Sequence, residues 1–336
     1  MSLYLHGVGH FHPETEITNQ FLEELDIGTD DQWILERVGI RSRRTVLPLD
    51  YIRETRNLDP TKALDAAVYT HADTGRFAAE MAFERAAVTK KDIGMVIAGS
   101  SRPGLSSPAD ACHIAEALGV EAPAFDMNSA CTSMWVALYM LSMMRPEKVP
   151  DYVLIVAPES LTTVVDYSDR SSSVLWGDCT AAAVVSTRVP SRIEILDNTL
   201  GSSPAGYDKV IVPLFGHFNQ EGRTVQMFAI KKTVRSLRAI QEKFPGSGRT
   251  LHFIGHQANL RMLDTVCQQC KIPDDRHHYN VVEYGNAGAA GAPSVLSMNW
   301  DRWTAEDDVA VIGVGSGLSW SSFVLRFGES LVVAVE

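Results

Sequence analysis

The chain has 336 residues, of which 45% are hydrophobic and 21% charged, as is typical of one large soluble domain or two fused ones. Its net charge of -11 argues against a nucleic-acid-binding surface, which needs an excess of Lys and Arg to neutralise phosphate. Apolar runs such as residues 152–157 are too short to cross a bilayer and the first residues do not resemble a secretion signal, so we expect a cytoplasmic protein without membrane or nucleic-acid partners.

Short β-rich runs alternate with helical patterns along the chain, which predicts an α/β fold with buried strands. In the first half, a strand over 95–98 precedes a helix over 108–118, for which Ser107 is the expected cap ahead of Pro108. A strand over 124–127 then leads into Asn128-Ser-Ala-Cys131 and an amphipathic helix. Strands over 152–156 and 181–186 complete this half.

The second half repeats this order. A strand over 252–254 precedes a helix of about 257–270, a strand over 279–282, Glu283-Tyr-Gly-Asn286 and another helix, and then strands over 309–313 and 322–327. The match predicts two similar halves, residues 1–188 and 189–336, related by a pseudo-twofold axis.

Cys131 and Asn286 hold equivalent strand-to-helix junctions in this repeat, and His256 follows another strand. All three residues are therefore predicted at the carboxyl ends of strands, where open α/β sheets place their ligand sites.

Five cysteines in a large chain of this kind do not make a disulfide framework. Cys267 and Cys270, with His277 and His278 downstream, invite a zinc interpretation. The two cysteines fall on the apolar face of a helical pattern, however, and no second cluster accompanies them, so we expect no metal site. Cys131 differs because it precedes a helix, whose unpaired N–H groups and dipole favour the thiolate that attacks a thioester.

With these residues in place, the sequence resembles β-ketoacyl-acyl-carrier-protein synthase III, a condensing-enzyme family of the thiolase superfamily. The resemblance covers nearly the whole chain. It is carried by six segments in family order: Asp31-Gln-Trp33-Ile-Leu-Glu-Arg37-Val-Gly-Ile-Arg41, Ala124-Phe-Asp-Met-Asn-Ser-Ala-Cys131, Trp176-Gly-Asp178, His256-Gln-Ala-Asn-Leu-Arg261, Tyr284-Gly-Asn286-Ala-Gly-Ala-Ala and Gly313-Val-Gly-Ser-Gly317-Leu-Ser-Trp320. It implies a thiolase fold of two similar α/β halves forming a five-layered αβαβα core, and a homodimeric, carbon–carbon bond-forming acyltransferase.

The resemblance also implies roles for the central residues. Cys131 attacks the first acyl thioester and holds the acyl group, while the backbone N–H groups of Cys131 and Ser316 form an oxyanion hole. Ser316 stands where the family usually has glycine. His256 and Asn286 donate hydrogen bonds to the carbonyl oxygen of the second thioester and stabilise the enolate.

Other positions correspond to substrate-binding residues of the family. The residues expected to contact the nucleotide end of coenzyme A are Trp33, Arg37 and Arg170. Arg261, together with the basic stripe of Lys231, Arg235 and Arg238, is expected to dock an acidic acyl carrier protein. No cofactor is expected, because coenzyme A or phosphopantetheine thioesters are the substrates.

Two further departures from the family pattern bear on chain length. Residues 47–74 form a longer, charged segment predicted near the substrate entrance, and Ser107 replaces a bulky Phe that crosses the dimer interface to floor the partner's acyl pocket. These features resemble ketosynthases of secondary metabolism that join two long β-ketoacyl chains into an α-pyrone.

The sequence leaves three alternatives open. One is a housekeeping fatty-acid initiation synthase that uses acetyl-coenzyme A and malonyl carrier protein. A second is an ester- or amide-forming acyltransferase, although such relatives tend to carry Asp at the position of Asn286. The third is a non-catalytic partner subunit of a heterodimeric ketosynthase, against which the intact Cys131, His256 and Asn286 speak.

Overall fold

The computed structural model describes residues 2–245 and 248–329, and strands alternate with helices along most of this length. The strands are β1 (Tyr4–Phe11), β2 (Glu16–Thr18), β3 (Ser42–Arg44), β4 (Ile93–Ala98), β5 (Ala124–Asp126), β6 (Tyr152–Glu159), β7 (Cys179–Ser186), β8 (Ile193–Ser202), β9 (Val210–Ile211), β10 (Asn219–Gln220), β11 (Thr250–Gly255), β12 (Asp307–Gly315) and β13 (Ser319–Phe327).

The α-helices are α1 (Asn19–Glu24), α2 (Asp31–Arg37), α3 (Leu49–Thr55), α4 (Ala63–Ala66), α5 (His71–Ala86), α6 (Asp110–Leu118), α7 (Ser133–Met143), α8 (Arg170–Ser173), α9 (Gly222–Lys243), α10 (Leu260–Cys270), α11 (Val281–Tyr284) and α12 (Gly291–Met298). Over the described ranges, no helix combines the length and the apolar character needed to span a bilayer.

The main sheet has nine strands in the order β11-β12-β13-β8-β1-β7-β6-β4-β5. Outward from β1 the strands run β7, β6, β4, β5, and outward from β8 they run β13, β12, β11, so corresponding strands of the two predicted halves hold corresponding places. In both series the first two pairings are antiparallel and the next is parallel. The series meet where Tyr4 and Leu5 pair with Glu194 and Ile193.

Alternate residues of the central strands pack into different layers, because successive side chains of a strand point to opposite faces. On β6, Val153 and Ile155 face a core shared with α7 and α12, whereas Leu154 and Val156 face α5 and α6. The strand β12 alternates in the same way between the shared core and a layer formed by α9 and α10. The predicted fold class, two α/β halves in an αβαβα arrangement, is thereby confirmed.

Three predicted elements differ from the structure. The predicted strand over 279–282 is wrong, because the side-chain oxygen of Gln257 accepts the N–H groups of Asn280 and Val281 and turns the chain into α11. Only an isolated bridge between Phe253 and His277 remains at the place of that strand. The helix predicted from about residue 257 begins at Leu260, where the Asn259 side chain caps it.

The predicted capping of the helix after Pro108 is also wrong. The helix α6 begins at Asp110, and the Asp126 carboxylate accepts the N–H groups of Asp110 and Ala111, each at 2.9 Å. Ser107 is therefore an exposed loop residue rather than a cap. The division of the chain at residue 188 stays a prediction; it falls in the connection between β7 and β8.

Candidate active site

Cys131, His256 and Asn286 line one cavity. Cys131 lies in a 3-10 turn, Ala130–Thr132, between β5 and α7, His256 directly follows β11, and Asn286 follows α11. All three are buried, with exposed fractions of 8%, 7% and 5%. The structure thus brings together three residues that span 155 positions of the chain (286 − 131 = 155), although Asn286 follows α11 and not the strand that the repeat predicted.

The backbone around Cys131 is arranged to leave N–H groups unpaired. Ala130 has a φ of 47°, a left-handed conformation that costs a residue with a Cβ about 1–3 kcal/mol. A Cβ on Gly315 would lie 3.3 Å from the Cys131 nitrogen, so the end of β12 runs directly beside that amide. Among the described residues, no acceptor is bonded to the N–H of Cys131 or of Ser316. Two donors are therefore available at the predicted oxyanion hole.

The Trp176-Gly-Asp178 segment positions Asn286. The backbone of Asn286 donates to the Leu175 carbonyl at 2.8 Å and accepts from the Gly177 N–H at 3.1 Å. A Cβ on Gly177 would lie 2.1 Å from the Tyr284 carbonyl oxygen, which explains the glycine in this motif. The Asn286 side-chain oxygen accepts the N–H of Gly288 at 3.1 Å, so its amide nitrogen is the group left to donate into the cavity.

His256 is a neutral donor in this site. Burial lowers the pKa of His256 to about 4, so the ring carries no charge at neutral pH and keeps one N–H. Its ring makes no hydrogen bond within the described part of the chain. The neighbouring Gln257 fixes the loop instead, because its side-chain nitrogen donates to the Gly255 carbonyl at 2.7 Å.

The pKa of the Cys131 thiol differs from the expectation, because the start of a helix should favour the thiolate. Burial, followed by the charge of Glu159, raises the pKa of Cys131 to about 12, and these effects outweigh those of the contact with Ser101 and of the Cys131 amide. The Ser101 hydroxyl lies 3.7 Å from the sulfur and donates to Glu159 at 2.8 Å. Sequence reasoning missed both residues, although a carboxylate at the end of the apolar strand β6 was a visible signal.

Comparisons with known proteins agree with this geometry. Residues 125–204 match the family model 3-oxoacyl-[acyl-carrier-protein (ACP)] synthase III, and residues 250–327 match the model of its C-terminal part. The β-ketoacyl-[acyl-carrier-protein] synthase III of Syntrophomonas wolfei is 30% identical over 359 residues, covering 98% of each chain. The enzyme of the same name from Oceanobacillus iheyensis is 29% identical over 333 residues, covering 98% of this chain and 100% of that one. The chain belongs to the β-ketoacyl-acyl-carrier-protein synthase III family.

Solved structures of the family superpose over nearly the whole chain. The 3-oxoacyl-[acyl-carrier-protein] synthase III of Aquifex aeolicus has a TM-score of 0.84 at 26% identity, covering 97% of this chain and 100% of its own. The priming β-ketosynthase of the R1128 polyketide pathway has a TM-score of 0.82 at 26% identity, covering 98% and 97%. Membership of this ketosynthase III family makes the chain an acyltransferase that forms carbon–carbon bonds.

The residues predicted to hold coenzyme A cluster at the mouth of the cavity. Arg37 lines the cavity and its guanidinium lies 4.7 Å from the centre of the Trp33 ring. Arg170 lies 4.9 Å from the same ring and also donates to the Gly28 carbonyl. A planar base between Trp33 and Arg170 needs about 7 Å, two stacking distances, so Arg170 must move outward to admit one.

The predicted docking residues lie on α9 and α10. Lys231 and Arg235 line an open groove on the outer side of α9 with Met227 and Val234, while Val225 and Ala229 of the same helix line the catalytic cavity. Arg261 is partly engaged elsewhere, because it donates to the Leu35 carbonyl at 2.7 Å. The helix α9 therefore connects a basic surface to the cavity wall.

A second cavity begins beside Ser101. Its wall includes Leu64 from the segment 47–74, together with Leu105, Leu214 and Phe215. Ser107 is exposed close to this wall, next to Ser106, which lines it.

Cys267 and Cys270 are buried on α10 against α9. Within the described residues no three His, Cys, Asp or Glu side chains are grouped so as to hold a metal ion.

Proposed function

We propose that this chain loads an acyl group onto Cys131 and condenses it with a second thioester, bound to a carrier protein or coenzyme A, in a Claisen-type reaction. We further propose that both chains are medium or long β-ketoacyl groups, joined in polyketide or α-pyrone biosynthesis. Coenzyme A or phosphopantetheine thioesters are then the substrates, and no other cofactor takes part.

The observation that carries this proposal is the set of unpaired donors around one thiol. The amide nitrogen of Asn286 and the neutral ring of His256 face the cavity that holds Cys131, and the N–H groups of Cys131 and Ser316 border it. A Claisen condensation develops negative charge on two carbonyl oxygens in turn, first during acyl transfer and then in the enolate. Fixed donors in a dry site stabilise such charge most effectively.

The apolar cavity beside Ser101 supports the longer substrates. Ser101, whose hydroxyl lies 3.7 Å from the Cys131 sulfur, also borders a space lined by leucines and a phenylalanine, which would receive an acyl chain directed past Ser101. Each buried CH₂ contributes about 0.8 kcal/mol. The alternative is a fatty-acid initiation synthase that starts from acetyl-coenzyme A and malonyl carrier protein. A non-catalytic partner subunit is the remaining possibility, and the intact donor set opposes it.

Carrier-protein docking and a homodimer complete the proposal. The groove at Lys231 and Arg235 presents positive charge around apolar Met227 and Val234, which suits an acidic carrier protein. Tyr207, Leu214 and Phe215 are exposed by 74%, 73% and 82%, respectively. Large exposed apolar side chains of this kind support an interface with a second copy.

Intact-protein mass spectrometry tests the proposal directly. The wild-type chain is incubated with acetyl, octanoyl and 3-oxooctanoyl thioesters, and then with a second carrier-protein-bound thioester. We expect a mass gain on the Cys131 peptide with every chain length, and no gain in Cys131→Ala, because the described site offers no equivalent nucleophile. Loading of acetyl groups alone would favour the initiation synthase. An unchanged adduct in Cys131→Ala would overturn the proposal.

A further inference from the structure

Glu159 is a buried carboxylate that the roles above do not use. It ends β6, is 1% exposed, and lies at the meeting point of two loops that carry site residues. From one loop the Ser101 N–H and hydroxyl donate to it, at 3.0 and 2.8 Å. From the loop that follows Asn286, the Ala289 N–H donates to it at 2.9 Å. A Cβ on Gly288 would lie 2.6 Å from its Oε1, so that loop approaches the carboxylate closely.

Ser101 connects this carboxylate to the nucleophile. Its hydroxyl donates its only hydrogen to Glu159 and lies 3.7 Å from the Cys131 sulfur. A hydroxyl that donates to a carboxylate still has lone pairs free, so the contact with sulfur is one in which the thiol donates. The three groups therefore form a chain from S–H to O–H to carboxylate. Within the described residues the Cys131 sulfur makes no other side-chain hydrogen bond.

We propose that Ser101 and Glu159 form a proton relay that takes the Cys131 thiol proton during acyl loading. The inference rests on the proposed function, because it assigns a residue to the loading step. As the sulfur attacks the thioester carbonyl, the S–H bond breaks and the S–C bond forms. The proton passes to the Ser101 oxygen while the Ser101 hydrogen passes to Glu159. The C–S bond of the donor thioester then breaks, and Glu159 returns its proton through Ser101 to the leaving thiolate.

The acid–base properties of the site are consistent with this assignment. Burial raises the pKa of Glu159 to about 7, whereas burial lowers the pKa of His256 to about 4. Glu159 is therefore the stronger base by about three pKa units (7 − 4 = 3). Its charge also raises the pKa of Cys131, so protonating the carboxylate removes an obstacle to thiolate formation. Proton transfer to Glu159 and attack by the Cys131 sulfur thus assist each other.

Other ionisable groups surround the relay. His71 from α5 lowers the pKa of Glu159, although less than burial raises it. Cys179 pairs with Glu159 across β6 and β7. Beyond them, Asp110 bonds His71 at 2.9 Å and Arg102 follows Ser101. An assay of the relay must therefore separate the effect of the Glu159 carboxylate from that of the neighbouring His71 ring.

The experiment measures alkylation of Cys131 by iodoacetamide from about pH 5 to about pH 10, because coupled groups reveal themselves in such profiles. Peptide mass spectrometry follows Cys131, and the exposed Cys112 in the same samples serves as reference. In the wild type we expect the rate to rise and level off with an inflection near the Glu159 pKa of about 7. Glu159→Gln and Ser101→Ala should both lose that inflection, and Ser101→Thr, which keeps a hydroxyl, should restore it.

Ser100→Ala is the matched control. The Ser100 hydroxyl also lies near Glu159, at 3.3 Å, but the contacts of the described residues give it no path to the sulfur. We expect this variant to keep the inflection.

In acyl transfer from a small thioester, Glu159→Gln and Ser101→Ala should be slower by about 100-fold, as for the loss of a general base.

The direction in which the alkylation rate of Cys131 changes in Glu159→Gln distinguishes the relay from a purely electrostatic role of Glu159. If Glu159 only repels the thiolate, Glu159→Gln should alkylate faster than wild type at neutral pH, and that result would overturn the relay. So would an inflection that persists in Glu159→Gln, or a wild-type profile in Ser101→Ala. Alkylation uses no thioester, so an intact relay without acyl loading would refute the proposed function alone. Circular dichroism of each variant confirms that it is folded.

Discussion

Asn286→Ala separates loading from condensation. In the structure the Asn286 oxygen is bonded to the Gly288 N–H at 3.1 Å, which leaves the amide nitrogen as a donor to the second thioester. That donor is not needed to form the acyl-enzyme, for which the thiol and the N–H groups of Cys131 and Ser316 suffice. The variant should therefore load Cys131 at the wild-type rate and fail in the second step.

The expected magnitude follows from the number of donors lost. Removing one fixed donor to a developing oxyanion costs about 2.7–4 kcal/mol, or about 10²–10³ in rate. The change also leaves the buried Gly288 N–H without its acceptor, which costs about 1–3 kcal/mol of stability. Two effects of similar size must therefore be told apart.

Asn280→Ala provides the control for stability. Asn280 is also buried, at 8% exposed, and its amide bonds the Ser294 hydroxyl at 2.9 Å, on the other side of α11 from Asn286. This variant should lose comparable stability in urea unfolding and still condense. The assay combines intact-protein mass for loading with chromatography of the product. Parallel losses of loading and condensation in Asn286→Ala, or normal condensation, would refute the division of labour proposed here.

Three further predictions follow from surface, cavity and charge. Arg261→Glu should slow carrier-protein substrates far more than small thioesters, and Arg145→Glu, just beyond the far end of α7 from Cys131, should slow neither. Equal losses for both substrates would mean that Arg261 acts through its contacts with Leu35 and Asp264 instead. Ser107→Phe should load acetyl groups normally and reject chains of about eight carbons or more, because the phenyl ring would block the partner's acyl tunnel that Ser107 is proposed to reach across the dimer interface; unaltered decanoyl loading by mass would contradict this. His256→Asn should be less acid-labile. Unfolded histidine binds a proton below its ordinary pKa of 6.5 and the buried ring only near 4, so the wild type loses up to about 3 kcal/mol of stability as pH falls between these values, measured by urea unfolding at about pH 7 and about pH 4.5.

The convergence of Cys131, His256 and Asn286 could be predicted because it depends on periodic signals. Alternating apolar runs identify strands, and the carboxyl ends of neighbouring strands share one edge of a sheet. The repeat then placed Cys131 and Asn286 at equivalent positions of the two halves, although α11 stands where it predicted a strand before Asn286. The starts of helices were harder to predict from the sequence. The cap of α6 comes from Asp126, 16 positions after the first helical residue, so the local Ser107-Pro108 signal was misleading.

The acid–base character of the site could not be predicted from the sequence. It depends on contacts between distant positions, such as Glu159 with Ser101 and with Ala289, 58 and 130 residues apart. The local signal at Cys131, a helix start, favours a lower pKa, but the depth of burial is a property of all five layers together. Burial prevails here because the helix dipole is a modest effect beside complete loss of solvent.

A site with so little charge constrains how protons move within it. At neutral pH Cys131 is a thiol and His256 a neutral ring, because burial disfavours the charged form of each. Donors such as the Asn286 amide act strongly in buried surroundings, where the effective dielectric constant is low. Burial also limits the access of bulk solvent to the Cys131 thiol, which is 8% exposed. An acceptor inside the protein has to lie within hydrogen-bonding reach of the sulfur, directly or through one intermediate group. Of the carboxylates described, Glu159 meets that requirement through Ser101.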